Sequence, residues 1–377
     1  MLIENTSDLA RFIKNIGMPP YVTVDTEFMS EKTYYPQLCL IQIAHGTHSA
    51  VIDLLNDLDV EPLIAFLKNP NIVKVFHAAD QDIAILWNEF KFIPSPVFDT
   101  QIAAMVCGFG DQVSYGRLVK AFTGAVLDKS SQLVDWSKRP LRDRDVRYAL
   151  ADVTQLCQVY EGLKADIDKR DRASWIAEEM QDLLDPKRYE YIPETQMRKL
   201  RLRSQTPRRL ARLRELLSWR DERAKAKNLP RSWVLKDTTL RDMASNPPRT
   251  IKDLGRVRGI GNNAQGTFGQ AILQCIRAAD DLPLADCPAV DSAVSEEPAS
   301  ENAIALLRAL LKQVSEINEV APRLLATKSD LEQIALGDKS RLDKGWRREV
   351  FGKLASNLVA GKIALTLVKG KMELIDI

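Results

Sequence analysis

Two hydrophobic periods alternate through the first hundred residues, and this narrows the fold more than any other feature. Residues 21–28, 38–44, 50–54, 73–77 and 97–100 are short, β-branched, apolar runs of strand type. Between them, residues 61–68 and 80–90 place apolar side chains at helical spacing. Beyond Gln101 the helical period dominates. Early strands with interleaved helices predict an α/β domain with a mixed sheet and flanking helices. The pattern leaves the order in which the strands pair open.

The remainder is all-helical in pattern. Leu210, Leu213, Leu216, Leu217 and Trp219 form an apolar stripe inside an Arg-rich stretch, and Ile304, Leu307, Leu310, Leu311 and Val314 form another. Between them, residues 281–301 are rich in Ala, Pro, Ser and acids, which predicts a linker. The expected domains are therefore 1–196, 197–280 and 302–377, with 281–301 as an acidic joint.

Charge follows the same divisions. The whole chain of 377 residues carries a formal charge of only +2. Counted by segment, the net charge is −9 over residues 1–196, +13 over 197–280, −6 over 281–301 and +4 over 302–377. A basic helical middle beside an acidic front points to a nucleic-acid partner. Solvated helix faces with internal ion pairs are the bland alternative. Arg201, Arg203, Arg208, Arg209 and Arg212 are the candidate contacts. The five cysteines are scattered, without a C-x-x-C pair, which argues against disulfides and structural zinc and for a reducing, cytoplasmic setting. No apolar run reaches the ~18 residues of a membrane span.

Candidate chemistry rests on carboxylates. Asp25 and Glu27 lie two apart in an apolar strand and so share one sheet face, with Val24 and Thr26 on the other. Two like charges on one face call for a cation, and hard oxygen donors suit Mg²⁺ or Mn²⁺. A solvated strand end is the competing explanation. Asp82 opens a helix, where an acid also favours the helix dipole; Asp80, two residues earlier, fits an N-cap. Tyr148 and Asp152 are four apart and share a helix face.

Together these positions resemble the DEDD superfamily of 3′→5′ exonucleases. Val24-Asp25-Thr26-Glu27-Phe28 resembles its first motif, His77-Ala78-Ala79-Asp80-Gln81-Asp82 its second and Tyr148-Ala149-Leu150-Ala151-Asp152 its third. The third has the tyrosine form, since His45, His48 and His77 all lie far upstream of Asp152. Tyr35-Pro36-Gln37-Leu38, Asp99-Thr100-Gln101, Leu127-Asp128-Lys129 and Asp135-Trp136-Ser137-Lys138-Arg139-Pro140-Leu141 narrow the likeness to the ribonuclease D family. Val257-Arg258-Gly259-Ile260-Gly261, ahead of a helix, fits the helical HRDC module, and residues 302–377 weakly echo it.

The resemblance implies a ribonuclease H-like exonuclease domain followed by two all-α HRDC-type domains. It implies two divalent ions held by Asp25, Glu27, Asp82 and Asp152, and a water oriented by Tyr148. The expected partner is RNA with a free 3′ end, tRNA precursors included, and the expected state is a monomer. Thr26, Phe28, His77, Lys129 and Arg139 are the further substrate-contact candidates. A DNA-directed exonuclease and a silent RNA-binding scaffold are the alternatives.

Overall fold

The computed structural model describes residues 1–127, 134–200, 202, 204–290 and 299–377. Lys129, Arg201 and Arg203 lie outside the described residues. The described chain forms two compact units. One holds Met1–Phe28, Leu38–Asp185 and the C-terminal segment; the other holds Met29–Gln37 and the segment beginning at Pro186.

The first unit is built on a six-stranded sheet of β1 (Leu2–Ile3), β2 (Tyr21–Met29), β3 (Gln37–His45), β4 (His48–Asp53), β5 (Val73–Phe76) and β6 (Val97–Asp99). Its order is β1-β4-β3-β2-β5-β6. β3 and β4 run antiparallel, whereas β1–β4, β2–β5 and β5–β6 are parallel, so the sheet is mixed as the sequence predicts. β1 and the helix Thr6–Ile16, capped by Asn5, are additions to the sequence reading. The acidic strand β2 is central, paired on both edges. Residues 38–44 of β3 are buried without a break, as expected of a strand covered on both faces.

The 27-residue helix Asp143–Lys169 covers one face with Ala149, Val153, Leu156, Val159 and Leu163. It is tied to β2 by the Thr23 hydroxyl, which donates to the Val153 carbonyl at 2.8 Å. Lys74, fully buried in β5, donates its Nζ to the carbonyls of Asn69, Ile72 and Ser95. Burial pulls its pKa down to about 8, and the three carbonyls match its three donors.

The C-terminal segment departs from the all-α expectation. Helices Glu301–Asn318, Pro322–Leu325, Lys328–Leu336 and Lys353–Val359 are followed by a hairpin of β7 (Ile363–Val368) and β8 (Lys371–Asp376). Lys369 and Gly370 have φ of +51° and +79°, the two positive-φ residues that a tight hairpin turn requires. This segment packs on the sheet-bearing part of its own unit. Glu179, buried, accepts from Trp346 Nε1 at 3.0 Å and from Arg347 Nη2 at 2.6 Å, while Trp175 stacks on Trp346 with centroids 4.5 Å apart. Ala321 N donates to the Met105 carbonyl.

The second unit is helical. Pro207–Lys227, Asp237–Ser245 and Gly266–Asp281 enclose Leu213, Leu216, Leu240, Met243 and Ile272. Met197, on the helix Pro193–Leu200, joins this core. Cys287 is buried against Ala211 and Ala279. Tyr34, in the segment Met29–Gln37, donates to Asp221, and Arg231 lies between the rings of Tyr34 and Tyr191. Gly259 and Gly261 both have positive φ and turn the chain toward Gly266–Asp281.

Candidate active site

β2 delivers Asp25 and Glu27 to the face covered by the helix that carries Asp152. Ligand oxygens of Asp25, Glu27 and Asp152 all lie within 4.8 Å of one another. Burial is the main perturbation here. It pushes the Asp25 carboxyl up to about 7, with Asp152 adding to the shift. Glu27 rises to about 9, from burial and then from Asp25, Asp152 and Asp82. Asp152 rises to about 7 from burial, opposed by a hydrogen bond from Tyr148. Among the described residues, no guanidinium or ammonium is one of the groups setting these values. Clustered carboxylates lacking a protein cation, all hard oxygen donors, fit a divalent metal.

Asp82 falls outside the tight group of three. Its Oδ1 accepts from the Thr26 hydroxyl at 2.5 Å, and burial, followed by Asp25, raises its pKa. Thr26, expected as a substrate contact, thus spends its hydroxyl on a neighbouring acid. The turn ahead of Asp82 is set from a distance. The Asp99 carboxylate accepts from the amides of Ala78 and Ala79 (3.0 and 2.8 Å) and of Gln101 and Ile102. It therefore anchors two helix heads at once, and Ala78 takes φ +59° to make the turn. The N-cap position of the Asp82 helix is Ala79, so the role expected of Asp80 falls to Asp99.

Tyr148 stands one helical turn before Asp152 and hydrogen-bonds its carboxylate; burial, then Asp152, raises the phenol pKa. Its ring lies 6.3 Å from that of buried Trp136. Tyr115 is a site residue that the sequence reading missed. Its hydroxyl donates to the Asp152 backbone carbonyl at 2.6 Å, and its ring faces His77 at 5.4 Å. The available signal was only an aromatic just after Ser114, at a helix start.

Several expected substrate contacts are committed elsewhere. His77 Nδ1 lies 3.0 Å from Thr100 Oγ1, and burial lowers its pKa to about 4, so it is a neutral packing histidine. Arg139 grips fully buried Asp53 with Nε and Nη2 and donates to the Trp136 carbonyl. Arg208 donates to the carbonyls of Ala279 and Leu282, capping a helix end. Arg212 pairs with Asp280, with side chains only 11% and 14% exposed. Arg209 reaches the Ser204 carbonyl. Phe28 is half-buried at the end of β2.

These features define a 3′→5′ exonuclease of the carboxylate type, and comparison with known proteins agrees. A family described as 3′-5′ exonuclease matches residues 1–168, and the HRDC domain family matches residues 209–276. The chain is 41% identical to ribonuclease D of Acidiphilium cryptum, covering 100% of this chain and 97% of that one. It is 43% identical to ribonuclease D of Granulibacter bethesdensis over 93% and 90% of the two chains. The crystal structure of Escherichia coli RNase D, described as an exoribonuclease involved in structured RNA processing, superposes with a TM-score of 0.83 at 29% identity, covering 96% and 98%. The chain belongs to the ribonuclease D family of 3′→5′ exoribonucleases. No helix among the described residues is long and apolar enough to cross a membrane.

Proposed function

We propose that this chain trims 3′ extensions from tRNA precursors and other small structured RNAs, as a cytoplasmic monomer, releasing 5′-mononucleotides. Asp25, Glu27, Asp82 and Asp152 hold two divalent ions, Mg²⁺ or Mn²⁺. The observation that carries this reading is the Asp25–Glu27–Asp152 group, closed to within 4.8 Å with Asp82 in electrostatic reach. Bound metal supplies an acidified water and neutralises the leaving 3′ oxygen. The chain's own groups do the positioning. Thr26 and Asp99 orient Asp82; Tyr115 fixes the helical turn at Asp152. Tyr148 orients the attacking water. Without metal, burial and then Asp152 raise its pKa, so proton transfer to the phenolate would need the field of bound metal. Phe28, half-buried near the end of β2, packs against the terminal base in this reading.

The basic helical unit supplies the RNA grip that an acidic catalytic unit lacks. Residues 302–377 are a second, divergent HRDC-like element extended by a hairpin. Support comes from a repeated order: a long helix ending at a left-handed residue (Asn228 or Glu319), a four-residue helix, then a nine-residue helix.

The test is incubation with 3′-extended tRNA and matched DNA in Mg²⁺, Mn²⁺ or EDTA. Metal-dependent shortening of the RNA is expected. Preference for DNA would overturn the substrate assignment, and shortening that persists in EDTA would overturn the metal site.

A further inference from the structure

The arginines with the highest local density are not the free ones. Arg208 and Arg212 are bound internally, Arg220 pairs with Asp237, Arg231 and Lys225 with Asp221, and Arg249 with Asp280. The electrostatic surface of the helical unit must be sought among the cations that remain.

One of these, Arg277, lines a groove of about 470 Å³ between the short helix Ile251–Gly255 and the helix Gly266–Asp281, and a second, Lys252, is the chain neighbour of its Ile251. Ile251, 36% exposed, and Leu273 supply its apolar lining. Gln270, Gln274 and Arg277 recur at helical spacing along one side, all exposed. Lys252 follows Ile251 directly and is exposed. Neither Arg277, Lys252, Gln270 nor Gln274 has a hydrogen-bond or ion-pair partner among the described residues. Of the acids nearest in sequence, Asp253 is occupied by the Thr250 cap and by Arg256, and Asp280 by Arg212 and Arg249, while Asp281 is exposed.

We infer that this groove seats a nucleotide of single-stranded RNA in the substrate of the same enzyme. The inference rests on the RNA reading above. Its chemistry is that of a base site. An apolar lining accepts a base face, carboxamides offer paired donors and acceptors to a base edge, and free cations meet the phosphates. The volume falls in the usual range for small-ligand pockets. A base must leave a duplex stack to enter, which selects single-stranded segments over helical stems. No carboxylate is among the residues that line the groove. The surface assigned to RNA thereby lies along the C-terminal half of Gly266–Asp281, beside the helix end that Arg208 and Arg212 hold.

The experiment compares the full chain with Arg277→Ala/Lys252→Ala and with Gln270→Ala/Gln274→Ala, all at exposed positions. RNA affinity is measured against salt on a 3′-extended RNA, alongside turnover of an RNA dinucleotide with Mn²⁺. The dinucleotide is short enough to engage the carboxylate site alone. The charge variant is expected to bind the long RNA about tenfold more weakly, with the salt slope reduced by about 0.7 for each cation removed. The glutamine variant is expected to lose affinity with an unchanged slope. Dinucleotide turnover should match wild type in both. Wild-type affinity and slope in both variants would overturn the groove. Loss of dinucleotide turnover in either variant would also overturn it, since the effect would then lie in catalysis. Failure of the wild-type chain to cleave either RNA would instead overturn the ribonuclease reading, so the two failures are distinguishable.

Discussion

The Thr26 hydroxyl donates to Asp82 Oδ1 across 56 residues of sequence, and both side chains are buried. The bond holds Asp82 beside, and outside, the group formed by Asp25, Glu27 and Asp152. Thr26→Val keeps the shape and removes the donor. A buried acceptor left unmatched costs about 1–3 kcal/mol. The expected outcome is a higher metal concentration for half-maximal RNA trimming, restored by Thr26→Ser. An unchanged metal titration would remove Thr26 from the site.

Asp25 takes part in the tight carboxylate group and perturbs both Glu27 and Asp82. Asp25→Asn is expected to lower turnover at least a thousandfold, on the order of losing one essential catalytic group. RNA affinity, measured without turnover, should stay within about twofold because the basic unit is untouched. Retained turnover would contradict the metal assignment.

Tyr148→Phe removes the hydroxyl that meets Asp152 while leaving the ring against Trp136. Turnover should fall about a hundredfold or more, the usual scale for a positioned proton-handling group, with KM for RNA unchanged. A drop confined to KM would assign the hydroxyl to substrate binding.

Without metal, Asp25, Glu27 and Asp152 titrate near 7, 9 and 7, against about 4 in an unfolded chain. Between these limits the unfolded chain releases protons that the folded chain keeps. Stability therefore falls as pH rises from about 4, and levels off above the folded values. In EDTA, Tm should decline between about pH 5 and about pH 9. Saturating Mn²⁺ should flatten that decline and raise Tm most at the alkaline end. A Tm in EDTA that climbs across this window would contradict the buried, uncompensated cluster.

Local pattern made the sheet legible. The runs at 21–28, 38–44 and 73–77 agree with β2, β3 and β5 to within a residue or so, because alternation and β-branching act over neighbours. Spacing also picked out the carboxylates of β2 and of the helix Asp143–Lys169. What it could not register were bonds between distant segments. Asp99 capping the Ala78–Ala79 turn, Tyr115 holding Asp152 and Thr26 holding Asp82 leave no periodic trace. The partners of the arginines were illegible for the same reason: composition counts cations, and only the fold shows that Arg208 and Arg212 are held within the protein. The terminal hairpin was missed although Lys369-Gly370 between two alternating runs is a turn signal. The helical period just upstream was carried too far.

The Glu179–Arg347 pair bears on how small an active enzyme can be made. The exonuclease family likeness ends at residue 168, and a fragment cut shortly after it looks like a self-contained catalytic domain. Such a fragment, ended after Asp185, keeps Glu179 and Trp175 and loses the Trp346 and Arg347 that cover them, so the carboxylate and the Trp175 ring meet water. The loss is then one of packing and of apolar area returned to water, and domains have little stability to spare. The same helix carries Met180, whose sulfur accepts from the Asp99 amide, so the damage would reach the turn ahead of Asp82. A minimal nuclease is therefore expected to need the C-terminal segment as well as the first 185 residues.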